Sequence, residues 1–420
     1  MSNQQSKIVN RKLRVLSVFG TRPEAVKMAP VVRALRQAEG VESLVCVTAQ
    51  HRQMLDQVLE LFDIHPDIDL DLMREDQSLA ELSAAIFSGL DPVLVDLKPD
   101  WVLVQGDTTT VAITSLLAYY RRIKVGHVEA GLRTHDKWQP FPEEINRRVA
   151  GVAADLHFAP TEWARQNLLR EGVDEKIVVV TGNPVIDALR VVAAQPEPGE
   201  VTALLGRLGI SDVVARRAKP DEAISSSEEI ASLPRVARTS SPKGNDMHPR
   251  LILVTAHRRE NFGQPLENIC LALQALAARG DVEILYPVHL NPNVQAPVRL
   301  SLGGVPHVTL LPPLDYLPLV HLMKHATLVL TDSGGIQEEA PVFGVPTLVL
   351  REVTERPEGL EAGTLKLVGT ETGRIREEAN RLLDDPAAYA AMAKAANPFG
   401  DGHAAERIVR ALRAAHSIAR

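Results

Sequence analysis

The sequence predicts an α/β protein of two successive parallel sheets, each covered by helices. Three observations support this fold class. Short, continuously apolar runs recur along the 420 residues, as expected for strands covered on both faces. Stretches with helical spacing of apolar residues separate these runs. The alternation occurs once in each half of the chain, with an irregular stretch between the halves.

The first half contains six strand candidates and six helix candidates. The strands are 13–19, 43–48, 101–105, 123–128, 155–158 and 176–180. The helices lie near 24–38, 51–61, 78–97, 108–121, 142–153 and 161–171. Pro30 lies inside the first helix candidate, and it predicts a kink or a restart there because proline removes a helical N–H.

The pattern returns in the second half. Strand candidates are 251–255, 282–286, 307–311, 327–331, 346–350 and 365–368. Helices are expected near 264–279, 315–324, 335–343, 371–384 and 404–418. Two such runs predict two Rossmann-like domains with right-handed crossovers that face a central cleft, where the carboxyl ends of the strands meet a ligand.

The predicted domains are residues 1–182, which form the N-terminal Rossmann-like domain, and 183–401, which form the second. A C-terminal helix at 402–420 is expected to pack back on the first domain. The segment 212–248 is rich in Ser, Pro and charge and has no sustained period, so it predicts a flexible insertion. A plain surface loop is favoured over a functional lid.

Composition excludes several classes of protein. The chain is 45% hydrophobic and 24% charged, with 46 Lys and Arg against 53 Asp and Glu, a net charge of -7. The hydrophobic and charged fractions are those of a folded chain and not of a disordered one. The net negative charge argues against a nucleic-acid or membrane-surface partner. Cys46 and Cys270 lie in apolar contexts and cannot form a disulfide framework. With neither a long apolar segment nor a signal-like start, a cytoplasmic protein is expected.

A glycine turn follows the first strand candidate and leads into a helix, which is the usual place for an anion. Arg22 and Lys27 add two cations within the first turns of that helix. The alternative is a solvated helix start. Neither a dinucleotide-binding fingerprint nor a P-loop is present, so no nucleotide cofactor is predicted.

Three carboxylates follow later strands of the first domain. Asp107 comes directly after 101–105 and is either a helix N-cap or a carboxylate in the cleft. Glu129 ends a buried strand, where a lone carboxylate is costly unless it is used or paired. Glu143 and Arg147 are four residues apart, so they form either a helical salt bridge or a third carboxylate and a third cation of the site.

In the second half, His257 and Arg258 follow strand 251–255, and His289 follows the next strand. A His-Arg-Arg cluster at a strand end favours phosphate binding over a surface turn. The spacing of His, Cys and carboxylates does not match a known zinc site, so no metal is predicted.

The sharpest local signal is the run TDSGGIQEE at 331–339. Ser333 is expected to cap the helix, while Gly334 and Gly335 let a ligand approach the first helical N–H groups. Glu339 is positioned to reach ribose hydroxyls, and Arg356 follows the next strand. A plain glycine-rich turn is the alternative. Cations in both halves predict a nucleoside diphosphate that spans the cleft.

Together these motifs make the sequence resemble the non-hydrolysing UDP-N-acetylglucosamine 2-epimerases, which share the two-domain glycosyltransferase-B type fold. The resemblance extends over nearly the whole core. The motifs that carry it are FGTRPEAVKMAP (19–30), TAQHRQML (48–55), GDTTT (106–110), GHVEAGLRT (126–134), PFPEEINRR (140–148), TAHRREN (255–261), LPPLDYLPL (311–319), TDSGGIQEEAP (331–341) and TERPEG (354–359).

The resemblance implies interconversion of UDP-GlcNAc and UDP-ManNAc by loss and re-addition of UDP, without a cofactor. It assigns acid–base roles to three carboxylates and an orienting role to Arg147. His257 is implied both in catalysis and at the UDP. The carboxylates are Asp107, Glu129 and Glu143, and the implied UDP-binding residues are Arg22, Lys27, Ser333, Gly334, Gly335, Glu339 and Arg356.

The resemblance also implies a homodimer that supplies bacterial surface polysaccharides. UDP-GlcNAc is a possible allosteric activator, at positions matched by Gln50, Gln53, Glu143, Arg258 and His289. Gln105 stands where relatives often have His. Three rivals remain open: a hydrolysing epimerase, a glycosyltransferase of the same fold and a nucleotide-sugar sensor without turnover.

Overall fold

A computed structural model describes residues 11–48, 52–72, 74, 77–210 and 249–418 of the chain. The insertion predicted at 212–248 and Gln50 lie outside the described residues.

The first sheet has seven parallel strands in the order β3-β2-β1-β4-β5-β6-β7. The six strands predicted for this half are confirmed. The short edge strand β3 was missed because two residues carry no periodic signal. The strands are β1 (Leu13–Phe19), β2 (Val41–Val47), β3 (Ile68–Asp69), β4 (Trp101–Gln105), β5 (Lys124–Val128), β6 (Leu156–Ala159) and β7 (Val178–Val180).

Helices connect these strands. They are α1 (Arg22–Gln37), α2 (Arg52–Leu61), α3 (Leu79–Leu97), α4 (Thr109–Tyr120), α5 (Glu143–Ala153), α6 (Glu162–Arg170) and α7 (Pro184–Ala193). Of the two effects predicted for Pro30, a kink or a restart, the restart was wrong, since helix α1 continues across it. Pro30 lies on the buried face of α1, where packing against the sheet offsets the lost hydrogen bond.

The second sheet has six parallel strands in the order β10-β9-β8-β11-β12-β13. All six predicted strands are present. They are β8 (Arg250–Thr255), β9 (Val282–Pro287), β10 (Val308–Leu311), β11 (Leu328–Thr331), β12 (Thr347–Val349) and β13 (Leu365–Leu367). In each sheet the strand order reverses once, between β1 and β4 and between β8 and β11, and ligands of parallel α/β sheets bind at such a switch point.

The helices of the second half are α8 (Gly199–Arg207), α9 (Gln264–Ala277), α10 (Pro292–Leu302), α11 (Tyr316–His325), α12 (Gly334–Glu339), α13 (Pro357–Glu361), α14 (Thr372–Asp384), α15 (Pro386–Ala393) and α16 (Ala404–Ile418). Sequence reasoning missed α7, α8, α10, α13 and α15. All but α8 begin with proline, which reads as a breaker in a sequence yet suits the first position of a helix, where the N–H has no intrahelical partner.

The described chain forms two compact units. One runs to Ala188 and resumes at Phe399, and the other is Leu189–Pro398. Helix α16 packs against α1 in the first unit. Asp187 accepts hydrogen bonds from the N–H groups of Ala404 (3.2 Å) and Ala405 (2.9 Å), and so holds the start of α16.

Each unit has its own buried core. Trp101 and Phe158 are among the largest fully buried side chains of the first unit, and Tyr286 is among those of the second. The Tyr286 hydroxyl donates to the carbonyl of Ala256 (2.6 Å) and thereby anchors the chain just before His257. Among the described helices, none combines the length and the apolar character that a bilayer crossing requires.

Gly131 follows β5 with a positive φ of 92°, and a Cβ there would lie 2.2 Å from the backbone oxygen of Ala164. We predict that Gly131→Ala destabilises the first unit by about 3 kcal/mol or more, because the contact is with backbone and the backbone strain adds to it. Gly172→Ala is the control. It has a similar φ of 87° but no atom within 4 Å, so about 1 kcal/mol is expected.

Urea unfolding followed by circular dichroism measures both variants. Equal midpoints for Gly131→Ala and Gly172→Ala would contradict the steric argument.

Candidate functional site

Glu129 is the centre of a hydrogen-bond network at the carboxyl ends of β4 and β5. It is buried and adopts a left-handed conformation with φ 62°. Its Oε1 accepts from Lys27 Nζ (2.5 Å) and from Asn183 Nδ2 (2.8 Å), and its Oε2 accepts from Gln105 Nε2 (2.5 Å). Both oxygens of this buried carboxylate therefore have hydrogen-bond donors. Lys27, predicted to bind phosphate, is thus held beside a carboxylate.

Asp107 is not the N-cap of α4, so that alternative was wrong. Thr108 caps the helix, and its hydroxyl accepts from the N–H of Val111 (3.4 Å). The Asp107 carboxylate instead pairs with Nη2 of Arg147, whose Nη1 donates to Glu144 (3.2 Å). The Asp107 side chain is 29% exposed against 5% for Arg147. A buried guanidinium therefore orients a carboxylate that still reaches the surface of its unit.

The neighbouring acids Glu143 and Glu144 differ in environment. Glu143 is the half-buried first residue of α5. Glu144 is fully buried, and it accepts from the backbone N–H groups of 134–135 and from Arg148. Glu144 thus ties the loop after β5 to α5. Sequence reasoning missed Glu144 because it selected the adjacent Glu143 from the same motif.

Glu24 occupies the helix start that was predicted as an anion site. Its Oε2 accepts from the N–H groups of Gly20 (2.8 Å) and Thr21 (2.7 Å), and its Oε1 accepts from the Thr108 hydroxyl (2.6 Å). Burial raises the pKa of this carboxyl above its ordinary value, against the lowering effect of these bonds. Because those two N–H groups bind Glu24, the predicted anion site is left with the side chains of half-buried Arg22 and of Lys27.

His127 supports the turn before Asp107. Its Nε2–H donates to the carbonyl of Gly106 (2.7 Å), and the ring is buried. Burial lowers the pKa of His127 to about 4, so the imidazole is neutral at pH 7. Gly106 has a φ of 81°, and a Cβ on it would stand 3.4 Å from Glu129 Oε2. The turn is therefore held close to the carboxylate.

In the second unit, Asp332 builds the turn that follows β8. Its Oδ2 accepts from the N–H groups of His257 (2.8 Å) and Arg258 (2.8 Å) and from Nδ2 of Asn261 (3.0 Å). Sequence reasoning did not select Asp332, although the signal that selected Asp107 was present, namely an acid directly after a buried strand. Asn183, after β7, carried a similar signal.

The imidazole of His257 stacks on that of His289, with ring centroids 5.4 Å apart and planes 11° apart. Burial lowers the pKa of His257 below its ordinary value. His289 is exposed, and its Nδ1 accepts from the N–H of Asn291 (3.0 Å). The structure thus brings together two of the predicted phosphate or activator residues. Gln53 belongs to α2, but its side chain lies outside what the structure describes.

The packing of the turn after β11 shows why residue 334 is a glycine. A Cβ on Gly334 would lie 2.6 Å from Nη1 of Arg356, so glycine lets the guanidinium pack over the start of α12. Ser333 stands at the N-cap, but the prediction that its side chain caps the helix was wrong. Its N–H donates instead to the Thr331 hydroxyl (2.9 Å). Glu339, predicted for the ribose, is buried.

Arg356 belongs to a buried cluster of opposite charges. It donates to Glu338 (2.5 Å) and Glu355 (2.6 Å), and Arg351 also donates to Glu355 (2.9 Å). Burial alone would raise the pKa of Glu355. The positive charges of Arg356, Arg351 and Arg258 more than offset it and hold that pKa far below the ordinary value. The sequence carries no signal for Arg351 and Glu338, because their role is to form ion pairs with Glu355 and Arg356, which only the folded chain brings together.

A family model described as UDP-N-acetylglucosamine 2-epimerase matches residues 33–413. A UDP-N-acetylglucosamine 2-epimerase of Escherichia coli (strain K12) is 52% identical over 402 residues, which cover 96% of this chain and 98% of that protein.

Two solved structures have a similar fold. The crystal structure of UDP-GlcNAc 2-epimerase from Neisseria meningitidis bound to UDP-GlcNAc is 46% identical, with a TM-score of 0.80 and coverage of 96% of this chain and 100% of that one. The enzyme from Methanocaldococcus jannaschii, in complex with UDP-GlcNAc and UDP, is 30% identical, with a TM-score of 0.75 and coverage of 96% and 99%.

The low pKa of His127 predicts a dependence of stability on pH. An imidazole with an ordinary pKa of 6.5 when unfolded and about 4 when folded binds its proton preferentially in the unfolded chain. Its contribution is therefore complete above about pH 6.5 and is lost as the pH falls towards 4, a change of about 3 kcal/mol. We predict that His127→Gln, which keeps an N–H donor for Gly106, removes this part of the acid sensitivity.

Urea unfolding at pH 7.0, 5.5 and 4.5 measures the effect. His65→Gln is the control, because the His65 side chain is 89% exposed, and it should retain the wild-type slope. A His127→Gln protein with the wild-type pH slope would rule out this origin.

Proposed function

The chain belongs to the UDP-N-acetylglucosamine 2-epimerase family, and we propose that it interconverts UDP-GlcNAc and UDP-ManNAc without net hydrolysis. It is accordingly an isomerase with two parallel-sheet α/β domains of the glycosyltransferase-B type. The observation that carries the proposal is the 52% identity to a UDP-GlcNAc 2-epimerase over 96% of this chain.

We propose that the reaction passes through a glycal. The C2 hydrogen of the sugar is not α to a carbonyl, so its removal alone leaves a poorly stabilised carbanion. If the C1–O bond breaks as the C2 proton leaves, the electrons of the C–H bond form a C1–C2 double bond and UDP departs with the C–O pair. Protonation of C2 from the opposite face and return of UDP to C1 complete the inversion. The route needs two proton-transfer groups and cations for the departing diphosphate.

The carboxylates of the first unit are suited to different parts of this scheme. Asp107 is partly exposed and oriented by Arg147, which suits a group that exchanges a proton with C2. Glu143, at the start of α5, is the proposed partner on the opposite face. Glu129 accepts from Lys27, Gln105 and Asn183, so both of its oxygens already have donors. We assign Glu129 to holding Lys27 in position.

The leaving UDP requires positive charge and hydrogen-bond donors. We propose Arg22, Lys27 and His257 for the diphosphate, with Ser333, Gly334 and Gly335 supplying backbone N–H groups and Arg356 packing over them. Glu339 is the proposed ribose ligand.

Analysis of the products by ion-exchange chromatography tests the reaction. UDP-GlcNAc incubated with the enzyme should give UDP-ManNAc until a constant ratio of the two nucleotide sugars is reached. Accumulation of free ManNAc with stoichiometric UDP would favour the hydrolysing epimerase. Turnover that requires an acceptor would indicate a glycosyltransferase, and binding without turnover would indicate a sensor.

We further propose that UDP-GlcNAc is an allosteric activator that contacts Arg258 and His289. The stack of His289 on His257 supports this, because it joins a predicted activator residue to a predicted UDP residue. Turnover of UDP-ManNAc should then show a lag that added UDP-GlcNAc removes. Hyperbolic kinetics from UDP-ManNAc alone would contradict activation.

We place the enzyme in the cytoplasm, in the supply of ManNAc units for surface polysaccharides. Cys46 and Cys270 are both buried free thiols, as suits a reducing compartment. Exclusive recovery from a non-cytoplasmic fraction would contradict this location.

A homodimer is the proposed assembly, and an apolar face of the first unit supports it. Helices α3 and α4 pack side by side, and their outer surfaces still expose Val95, Tyr119 and Tyr120, the two tyrosines by more than 60%. Helices that are apolar on their outer face usually bury it against a partner. A second copy of this chain is the proposed occupant.

We predict that Val95→Glu with Tyr119→Glu converts the dimer to a monomer, because two carboxylates would be buried in the interface. Leu300→Glu is the control, since Leu300 is 89% exposed on α10 of the second unit. Sedimentation velocity distinguishes the two states. A double variant that sediments with wild-type mass would contradict the assignment of this face.

Two substitutions separate chemistry from binding. Asp107→Asn should lower kcat by about 10²-fold or more, as expected for loss of an acid–base group, and leave the Kd of UDP nearly unchanged.

Arg22→Ala should instead raise the Kd of UDP about 10-fold, as expected for loss of a hydrogen bond to a charged group. Calorimetric titration with UDP and steady-state kinetics measure both.

Unchanged turnover in Asp107→Asn would remove Asp107 from the mechanism. An unaltered affinity in Arg22→Ala would remove Arg22 from the UDP site.

A further inference from the structure

Asp332, the first residue after β11, has two oxygens in different situations. The side chain is completely buried. Oδ2 accepts the three hydrogen bonds from His257, Arg258 and Asn261 described above. Within the described chain, Oδ1 has no hydrogen-bond partner. A buried carboxylate oxygen without a donor is costly, and such an atom points to a functional role.

The imidazole of His257, a positively chargeable group, lies close to Oδ1. Nδ1 of His257 lies 3.5 Å from Asp332 Oδ1. This distance is longer than a hydrogen bond, but a small rotation of the ring would close it. Hydrogen bonds of catalytic groups are often long before substrate binds and tighten in the complex.

We propose that Asp332 is the positioning residue of His257, which it orients by accepting the Nδ1 proton so that Nε2 is presented to the diphosphate. The inference rests on the proposed function, in which His257 contacts the leaving UDP. The geometry gives Asp332 two tasks at once: Oδ2 holds the backbone of the turn, and Oδ1 holds the ring.

The groups that face His257 come from three elements. Asp332 follows β11, His289 stacks on the ring from the segment after β9, and Arg258 is the next residue in the turn. Burial lowers the pKa of His257 most, and the positive charges of His289 and Arg258 lower it further, whereas Asp332 raises it. Of these groups, Asp332 is therefore the one that favours the imidazolium, the form that stabilises a departing diphosphate.

Asp332→Asn tests the pairing with little change of shape. The amide oxygen can accept from the three donors that Oδ2 serves, while the amide N–H₂ faces Nδ1 and requires Nδ1 to be an acceptor. We expect the pKa of His257, followed by NMR with labelled histidine, to fall by about one pH unit. The value of kcat should fall about 10-fold or more at pH 7, and the alkaline limb of the kcat profile, where activity is lost as the imidazolium deprotonates, should move to lower pH with the imidazole.

Asn261→Ala is the matched control. It removes one of the three hydrogen bonds to Oδ2, and with it the bond from Asn261 to the carbonyl of Leu350 (3.1 Å), but it leaves the charge that faces the ring. The pKa of His257 should stay at its wild-type value in this variant. If Asp332→Asn left the pKa and the pH profile unchanged, or if Asn261→Ala reproduced its shift, the proposal would be wrong.

A measurement on the wild-type enzyme keeps the test independent of how Asp332→Asn folds. Nitrogen-15 shifts of neutral His257 should show the proton on Nδ1, and a proton on Nε2 would overturn the proposal. His257→Gln tests the proposed function separately. Wild-type affinity and turnover in that variant would show that His257 does not contribute to the site. The nitrogen-15 shifts of His257 in the wild-type enzyme would still report its hydrogen bond with Asp332.

Discussion

Three buried carboxylates depend on the same constraint, and the geometry of the candidate site follows from it. A buried carboxylate is costly unless it is hydrogen-bonded or paired. Glu24, Glu129 and Asp332 are all buried, and each accepts hydrogen bonds from at least one segment that is far away in sequence: Thr108 for Glu24, Asn183 for Glu129 and Asn261 for Asp332. Each carboxylate therefore connects segments that are far apart in sequence. Removing the carboxylate would leave the segment that it binds without these hydrogen bonds.

These acids are distinct from the groups proposed for chemistry. Asp107 is partly exposed and directed by Arg147, while the neighbouring turn is held through Gly106 by His127. His257 lies half-buried on a turn that Asp332 holds. The arrangement places buried, hydrogen-bonded carboxylates behind more exposed groups that are proposed to contact the substrate. This is the order expected where reacting groups must keep one geometry while charge moves between sugar and diphosphate.

Much of this was predictable because parallel strands leave a clear signal. Continuous apolar runs gave both sheets, and polar residues just after those runs gave Asp107, Glu129 and His257. The rest could not be predicted because it depends on pairing across long separations. Nothing in the sequence shows that Lys27 meets Glu129, or that Arg356 is matched by Glu338 and Glu355. Helices that begin with proline were missed because proline is ambiguous in a sequence. It interrupts a helix at an interior position but is favoured at the first position of one.

The central claim is that UDP leaves C1 while the C2 proton leaves the sugar, and that both return. Proton NMR of UDP-GlcNAc incubated with the enzyme in deuterated water tests it most directly. The account predicts UDP-ManNAc that carries deuterium at C2, with the C2 proton signal of the recovered UDP-GlcNAc also declining. UDP-ManNAc that keeps its original hydrogen at C2 would contradict it.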